Sequence, residues 1–185
     1  MEGGTKDEKT IFYTGMYHLL IHPNILQDVN GEYPMMESLK VGHTTGNRYT
    51  VFSLWDTYRN VSTLMTLLYP ERQLDIIRTM LDMYRENGWL PKWELYGRET
   101  FTMEGDPSIP YIVDAWMRGL RDFDEQTAYE AMRKGATTPG EFNLLRPDAN
   151  DYFSKGYVPL REQYDNSVSH ALEYYIADWN LANFA

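Results

Sequence analysis

The feature that most constrains this chain is its period. Apolar residues recur at three- and four-residue steps in separate stretches, and long turn-rich segments lie between them. Phe12, Met16, Leu19 and Leu20 form the first stripe. A second carries Val61, Leu64, Met65 and Leu68, and a third carries Leu74, Ile77, Met80, Leu81 and Tyr84. Pro70 suits the first turn of that third helix, and Gly88 suits its end. Pro110 opens a helix through Ile112, Val113, Trp116, Met117 and Leu120. Asp124 caps another through Ala128, Ala131 and Met132, ending near Gly135. Asn166 or Ser167 starts the last, with Val168, Leu172, Tyr175, Ile176 and Trp179 as its stripe. There is no βαβ alternation and no run of period-2 strands. The segment from His22 to about Tyr49 is too long to be a mere connection in a compact domain, and Trp89 to Asp106 and Thr137 to Leu160 are likewise loop-like and turn-rich. Helical hairpins joined by long aromatic loops predict an all-α fold of the α/α toroid kind, with the loops gathered over a central cleft.

Composition narrows the function classes. The chain has 185 residues and 43% of them are apolar, enough for one domain with a core. Twenty-seven acidic against 17 basic side chains give a net charge of −10. That charge argues against nucleic acid and against an anionic membrane surface. No apolar run reaches the length of a membrane span. Cysteine is absent, which excludes disulfides, thiolate catalysis and Cys-ligated zinc. The opening Met1-Glu2-Gly3-Gly4 has no apolar segment of the signal-peptide kind. Glu2 to Lys9 reads as a polar tail, and the last helix runs to Ala185 without a stop signal, so a fragment is expected.

The chain carries 15 Tyr, 7 Phe and 5 Trp. Tyr and Trp join a large apolar body to one polar handle, which suits wet clefts and stacking on pyranose faces. Carboxylates are the abundant reactive group: Asp28, Asp56, Glu94, Glu99, Glu104, Asp106, Asp114 and Glu173 stand in loops or at helix starts. Glycoside hydrolysis needs two, one to protonate the leaving oxygen and one to activate water or attack the sugar. Asp56 is distinct because Trp55 precedes it and Thr57-Tyr58-Arg59 follow. An indole beside a carboxylate offers a stacking face and a bidentate acceptor for vicinal hydroxyls. The competing role is a helix cap from Asp56 or Thr57, worth about 1 kcal/mol. Trp89 to Trp93 is a second aromatic loop, equally suited to cleft wall or core lid. His18 and His22 lie four apart, but Pro23 ends the helix at His22 and no third metal ligand is evident.

Phe12-Tyr13-Thr14, Tyr17-His18 and Pro23-Asn24 resemble the "FYTALYH…PN" opening of the catalytic domain of glycoside hydrolase family 92. Asp28 to Tyr33 is similar to that family's "DxDGxY", and Phe52 to Arg59 to its "FSLWDTFR". Gly88 to Trp93 with Glu99, Thr100 and Met103 resembles "GxLPxW…ETxxM", and Val113-Asp114-Ala115 with Arg118-Gly119 resembles "ADAYxKG". Gly156 to Pro159, Ser167 to Ser169, Leu172 to Tyr174 and Ala177 to Trp179 complete the likeness with "GYVP…SVSxTLEYAYDDW".

The resemblance implies about half of an (α/α)6 toroid over residues 1–185, a single partial domain, with a β-sandwich upstream. It implies calcium-assisted, inverting release of mannose from α-mannoside glycans by a secreted or periplasmic exo-α-mannosidase. The family's acid, base and calcium segments are not among these residues and are expected beyond Ala185, so no catalytic or metal residue is assigned and no calcium is expected to be bound by this chain. What the resemblance places here is the sugar platform, carried onto Trp55 and Asp56, with Glu99 and Asp106 as further binding candidates. Asn60 to Thr63 and Glu104-Gly105-Asp106 depart from the family pattern. The isolated chain is expected to be inactive and to self-associate through the cut face of the ring. The alternative is a non-catalytic helical carbohydrate-binding or interaction module, complete and monomeric.

Overall fold

A computed structural model describes residues 2–160 and 166–185. Eight α-helices are present among them: α1 Lys6–His18, α2 Leu54–Thr57, α3 Val61–Leu68, α4 Pro70–Asn87, α5 Ser108–Met117, α6 Glu125–Thr137, α7 Ala149–Lys155 and α8 Ser167–Phe184. A short 3-10 turn spans Gly140–Phe142. The loops hold three small antiparallel pairs: β1 Asn24–Ile25 with β4 Tyr49–Thr50, β2 Glu32–Pro34 with β3 Val41–His43, and β5 Glu94–Leu95 with β6 Arg98–Glu99. The chain is thus helical in its framework, and the strands are stitches within the loops. Strands of two or three residues have no period to read, and each forms only because the loop ends are brought together.

The core is the meeting of α4, α5, α6 and α8. Ile76, Ile77, Met80, Leu81 and Met83 of α4 face Ile109, Ile112 and Val113 of α5, with Ala128 and Met132 of α6 and Ala177 of α8 closing the cluster. Full burial of side chains of this size contributes about 1.5–3 kcal/mol each, so this layer dominates the stability. Small residues on α6 and α8 let those helices approach α5 closely. Pro70 stands in the first turn of α4, and Gly88 ends it with a left-handed φ of 85°. Asp124 caps α6 by accepting the Thr127 N–H.

Four local expectations are corrected. Helix α1 begins at Lys6, not beyond Lys9, because Thr5 and Glu8 form a reciprocal capping box. Asp56 and Thr57 do not cap the helix carrying Val61. They lie inside the four-residue α2, and Asn60 precedes α3 without a side-chain cap bond. Helix α5 starts at Ser108, so Pro110 lies within its first turn instead of opening it. In α8, the stripe Val168, Leu172, Tyr175, Ile176 and Trp179 faces outward and is exposed, while Ala171, Tyr174 and Ala177 pack inward. That helix is apolar on both faces, so periodicity could not say which face would be covered.

The segment 22–49 is pinned rather than free. Glu86, near the end of α4, accepts Arg48 Nη1 at 3.0 Å and Nη2 at 2.8 Å, Tyr33 Oη at 2.9 Å and the Met36 N–H at 2.7 Å. Arg48 is only 2% exposed, so this ion pair is shielded from water. Asn47 donates to Asp75 of the same helix at 2.8 Å.

Candidate functional site

Phe52 and Leu54 are buried in the core and set the direction of the segment that follows. Helix α2 then turns Asp56 outward, where its carboxylate is exposed and accepts a close hydrogen bond from the Ser53 hydroxyl. Trp55 is partly buried, and its indole N–H is enclosed without a hydrogen-bond partner. The Arg59 guanidinium lies 4.8 Å from the Trp55 ring centroid and 4.8 Å from that of Tyr58. Stacking of this kind fixes the planes of both rings.

What holds Arg59 is Glu173 of α8. Arg59 Nη2 donates to Glu173 Oε1 at 2.6 Å, and the Tyr58 hydroxyl donates to Oε2 at 2.8 Å. Burial, then the bond to Glu173, pushes the Tyr58 hydroxyl pKa up to about 12. It therefore stays a proton donor across the physiological range. Gly105 is required at this junction: its φ is +79°, and a Cβ there would stand 2.5 Å from the Glu173 Cβ. Glu173 was named in the sequence only as one carboxylate among eight. Its role as the clamp of the Trp55 segment, more than one hundred positions earlier, had no local signal.

The other two binding candidates occupy different surroundings. Glu99 turns its carboxylate back into its own loop, accepting the backbone N–H groups of Lys92 at 2.6 Å, Trp93 at 2.8 Å and Phe101 at 2.8 Å. Asp106 is 2% exposed and accepts from Arg146 Nε at 3.3 Å. Burial raises the Asp106 pKa, and the positive charge of Arg146 opposes that rise. Arg146, itself fully buried, also donates to Asp178 at 2.7 Å, and Tyr152 donates to the same carboxylate at 2.8 Å. Trp55 and Asp56 are thus one unit at the surface, whereas Glu99 and Asp106 are bound up within the loop framework.

Glu94, a further carboxylate of the sequence reading, is also buried. It accepts from Thr50 Oγ1 at 2.9 Å and from the N–H groups of Val51 and Gly97 at 3.1 and 2.5 Å, while burial raises its pKa. The aromatic loop 89–93 acts largely as a lid, since Leu90, Pro91 and Lys92 are buried. Trp93, with Ser53 and Thr57 of the α2 turn, also lines a mostly apolar cavity of about 160 Å³. His22 Nδ1 lies 2.7 Å from Asn24 Oδ1. Among the described residues no group of three or more histidine, aspartate or glutamate side chains is placed to hold a metal ion.

Residues 1–185 match the model of the glycosyl hydrolase family 92 catalytic domain. The chain belongs to that family. Among solved structures, it is similar to the family GH92 α-mannosidase BT3965 from Bacteroides thetaiotaomicron, with a TM-score of 0.90, 34% identity and 100% of this chain covered. The same enzyme in complex with mannoimidazole aligns over 96% of this chain at 35% identity and a TM-score of 0.86. The family GH92 inverting mannosidase BT2199 of the same organism aligns over the whole chain at 33% identity and a TM-score of 0.88. A curated protein of Arthroderma benhamiae, named an uncharacterized secreted glycosidase, is 26% identical over 96% of this chain. The chain spans 23–25% of the length of those solved chains and 20% of the curated relative. The likeness shows the fold to be part of the (α/α)6 toroid expected from the sequence.

Proposed function

We propose that this chain supplies the sugar-gripping wall of an exported, exo-acting α-mannosidase that works with inversion and with calcium. The observation that carries the reading is the exposed Asp56 carboxylate beside the Trp55 ring, held in place by the Arg59–Glu173–Tyr58 clamp. A carboxylate accepts two hydrogen bonds from vicinal hydroxyls, and the indole covers the apolar face of the ring. Glu99 and Asp106 serve this wall indirectly, one by shaping the 92–101 loop and the other by anchoring Arg146.

The acid, the base and the calcium ligands belong, in this reading, to residues beyond Ala185. Mannose release from an α-mannobiose panel with added calcium tests it, comparing the full-length protein, its Trp55→Ala and Asp56→Asn variants, and the 185-residue chain alone. Release by the full-length protein, lost in both variants and absent from the short chain, is the expected result. Turnover by the short chain would overturn the placement of acid and base. No release from any linkage would overturn the substrate class.

The exposed α8 stripe favours this reading over a free-standing sugar-binding module. Val168, Leu172, Tyr175, Ile176 and Trp179 would otherwise leave one side of a core helix bare to water. In the isolated chain that stripe pairs with a second copy, which sedimentation velocity of the wild type against Trp179→Glu would reveal as a lost dimer.

A further inference from the structure

The backbone just before the Trp55–Asp56 platform is held in a conformation that its own side chain opposes. Val51 has a φ of 66°, in the left-handed region. Among the described residues five side chains other than glycine adopt that region, those of Glu37, Val51, Tyr96, Phe101 and Met103, and only Val51 is β-branched. A branched Cβ is crowded there, so such a residue keeps the conformation only where its surroundings impose it. Strand β4 ends at Thr50 and helix α2 begins at Leu54, so Val51 lies where an extended chain is turned toward the platform.

Glu94 imposes the turn. Its carboxylate accepts the Val51 N–H at 3.1 Å, and its backbone carbonyl accepts the Phe52 N–H at 3.0 Å. In extended backbone, consecutive N–H groups point to opposite sides. Both reach one residue only when the chain between them is turned. The Glu94 side chain is fully buried and anchored from other directions, by the Thr50 hydroxyl at 2.9 Å and by the Gly97 N–H. Packing alone does not hold the segment. Val51, Phe52, Ser53, Leu54 and Thr57 all border the cavity of about 160 Å³, so on that side they lack neighbours to press against.

Resting on the mannoside reading, we propose that Glu94 is a positioning residue for the sugar platform. It holds Val51 in the left-handed region, and that turn sets the direction in which α2 presents Trp55 and Asp56. Sealed from solvent, Glu94 acts through Val51 and not on a sugar. Without it the chain at Val51 relaxes toward ordinary backbone, and the platform is competent only in the fraction of molecules that keep the turn. A glycine at position 51 adopts positive φ about as readily as negative, so it keeps the turn without the clamp.

The test is a double-mutant cycle in the full-length protein, with Glu94→Gln made in the wild-type and in the Val51→Gly background. The amide preserves the size of the side chain but turns one acceptor oxygen into a donor. The constant measured is the inhibition of α-mannobiose hydrolysis by free mannose, with calcium present. Glu94→Gln raises it on the order of tenfold in the wild-type background and less than about threefold in the glycine background. A merely structural role predicts the same loss in both. Equal loss in the two backgrounds, or no loss in a folded Glu94→Gln protein, overturns the positioning role and leaves the mannoside reading intact. If either variant fails to fold, Glu94→Asp, which draws the carboxylate back by one carbon, or Val51→Asn, which tolerates positive φ, takes its place. A wild-type protein that neither binds nor releases mannose overturns both.

Discussion

The same chemical change at two aspartates should give opposite results. Asp56 is exposed, and its neighbours are the Ser53 hydroxyl and the Arg59 cation held above Trp55. Asp106 is 2% exposed and faces the buried Arg146. In Asp106→Asn, the amide oxygen still accepts from Arg146 Nε, but the negative charge is gone. Breaking a buried ion pair costs about 3–5 kcal/mol, because the surviving charge is left uncompensated. Arg146 keeps Asp178 at 2.7 Å, so the lower end applies, about 3 kcal/mol. In a chain of 185 residues each kcal/mol moves the thermal midpoint by about 2–4 °C. Asp106→Asn should therefore melt about 6–12 °C below the wild type, with its affinity for methyl α-mannoside intact. Asp56→Asn should lose that affinity and melt within about 4 °C of the wild type, since a first-turn charge in an exposed helix is worth at most about 1 kcal/mol. Circular-dichroism melts of the 185-residue variants and tryptophan-fluorescence titrations of the full-length variants read the two axes. An Asp106→Asn protein with unchanged melting and lost sugar affinity would refute the argument, because it would mean that the carboxylate meets ligand and not Arg146.

Three further outcomes follow from the packing. Glu86→Ala removes the acceptor for Arg48, Tyr33 and the Met36 N–H, so it should cost at least about 3 kcal/mol in urea unfolding and open 22–49 to limited proteolysis. Gly135→Ala would place a Cβ 2.7 Å from Asp106 Oδ2, so it should mimic Asp106→Asn in melting temperature while leaving sugar affinity unchanged. His170 is held below its ordinary pKa by burial first and by the Lys92 charge next, with Asp148, Glu104 and Glu173 opposing. The unfolded chain then takes a proton on acidification through about pH 6.5 while the folded chain does not. This group's contribution to stability is present at neutral pH and is lost as pH falls through that range. Chemical denaturation between pH 8 and 5 should show a shallower loss in His170→Gln than in the wild type.

Much of the framework was legible in the chain. Leu74, Ile77, Met80 and Leu81 recur at the helical period, Pro70 and Gly88 punctuate the ends, and α4 forms between them. Asp124 reads as a cap and acts as one. These features are local: the residues that determine them lie within a turn or two of one another, so spacing alone carries the information. The capping box at Thr5 was equally local, and was missed because the residues around it are polar throughout. The segment Trp55-Asp56-Thr57-Tyr58-Arg59 stood out because an indole and a carboxylate are adjacent in the chain itself.

The tertiary structure alone decided what each carboxylate meets. Asp56, Glu99, Asp106 and Glu173 are the same chemistry in sequence. One is exposed, one folds back on backbone N–H groups, one is sealed against Arg146, and one clamps Tyr58 and Arg59. The partners are 114 positions apart for Arg59 and Glu173, and 40 for Asp106 and Arg146. No period or motif spans such separations, because the pairing is set by how α5 and α8 pack, and that packing is chosen by the whole core. For the same reason the sequence showed α8 to be an apolar helix without showing which face would be covered. A small alanine at 177 lets one face lie close on α5, while Ala171 and Tyr174 pack with Val158, and shape complementarity, not hydrophobic period, made the choice.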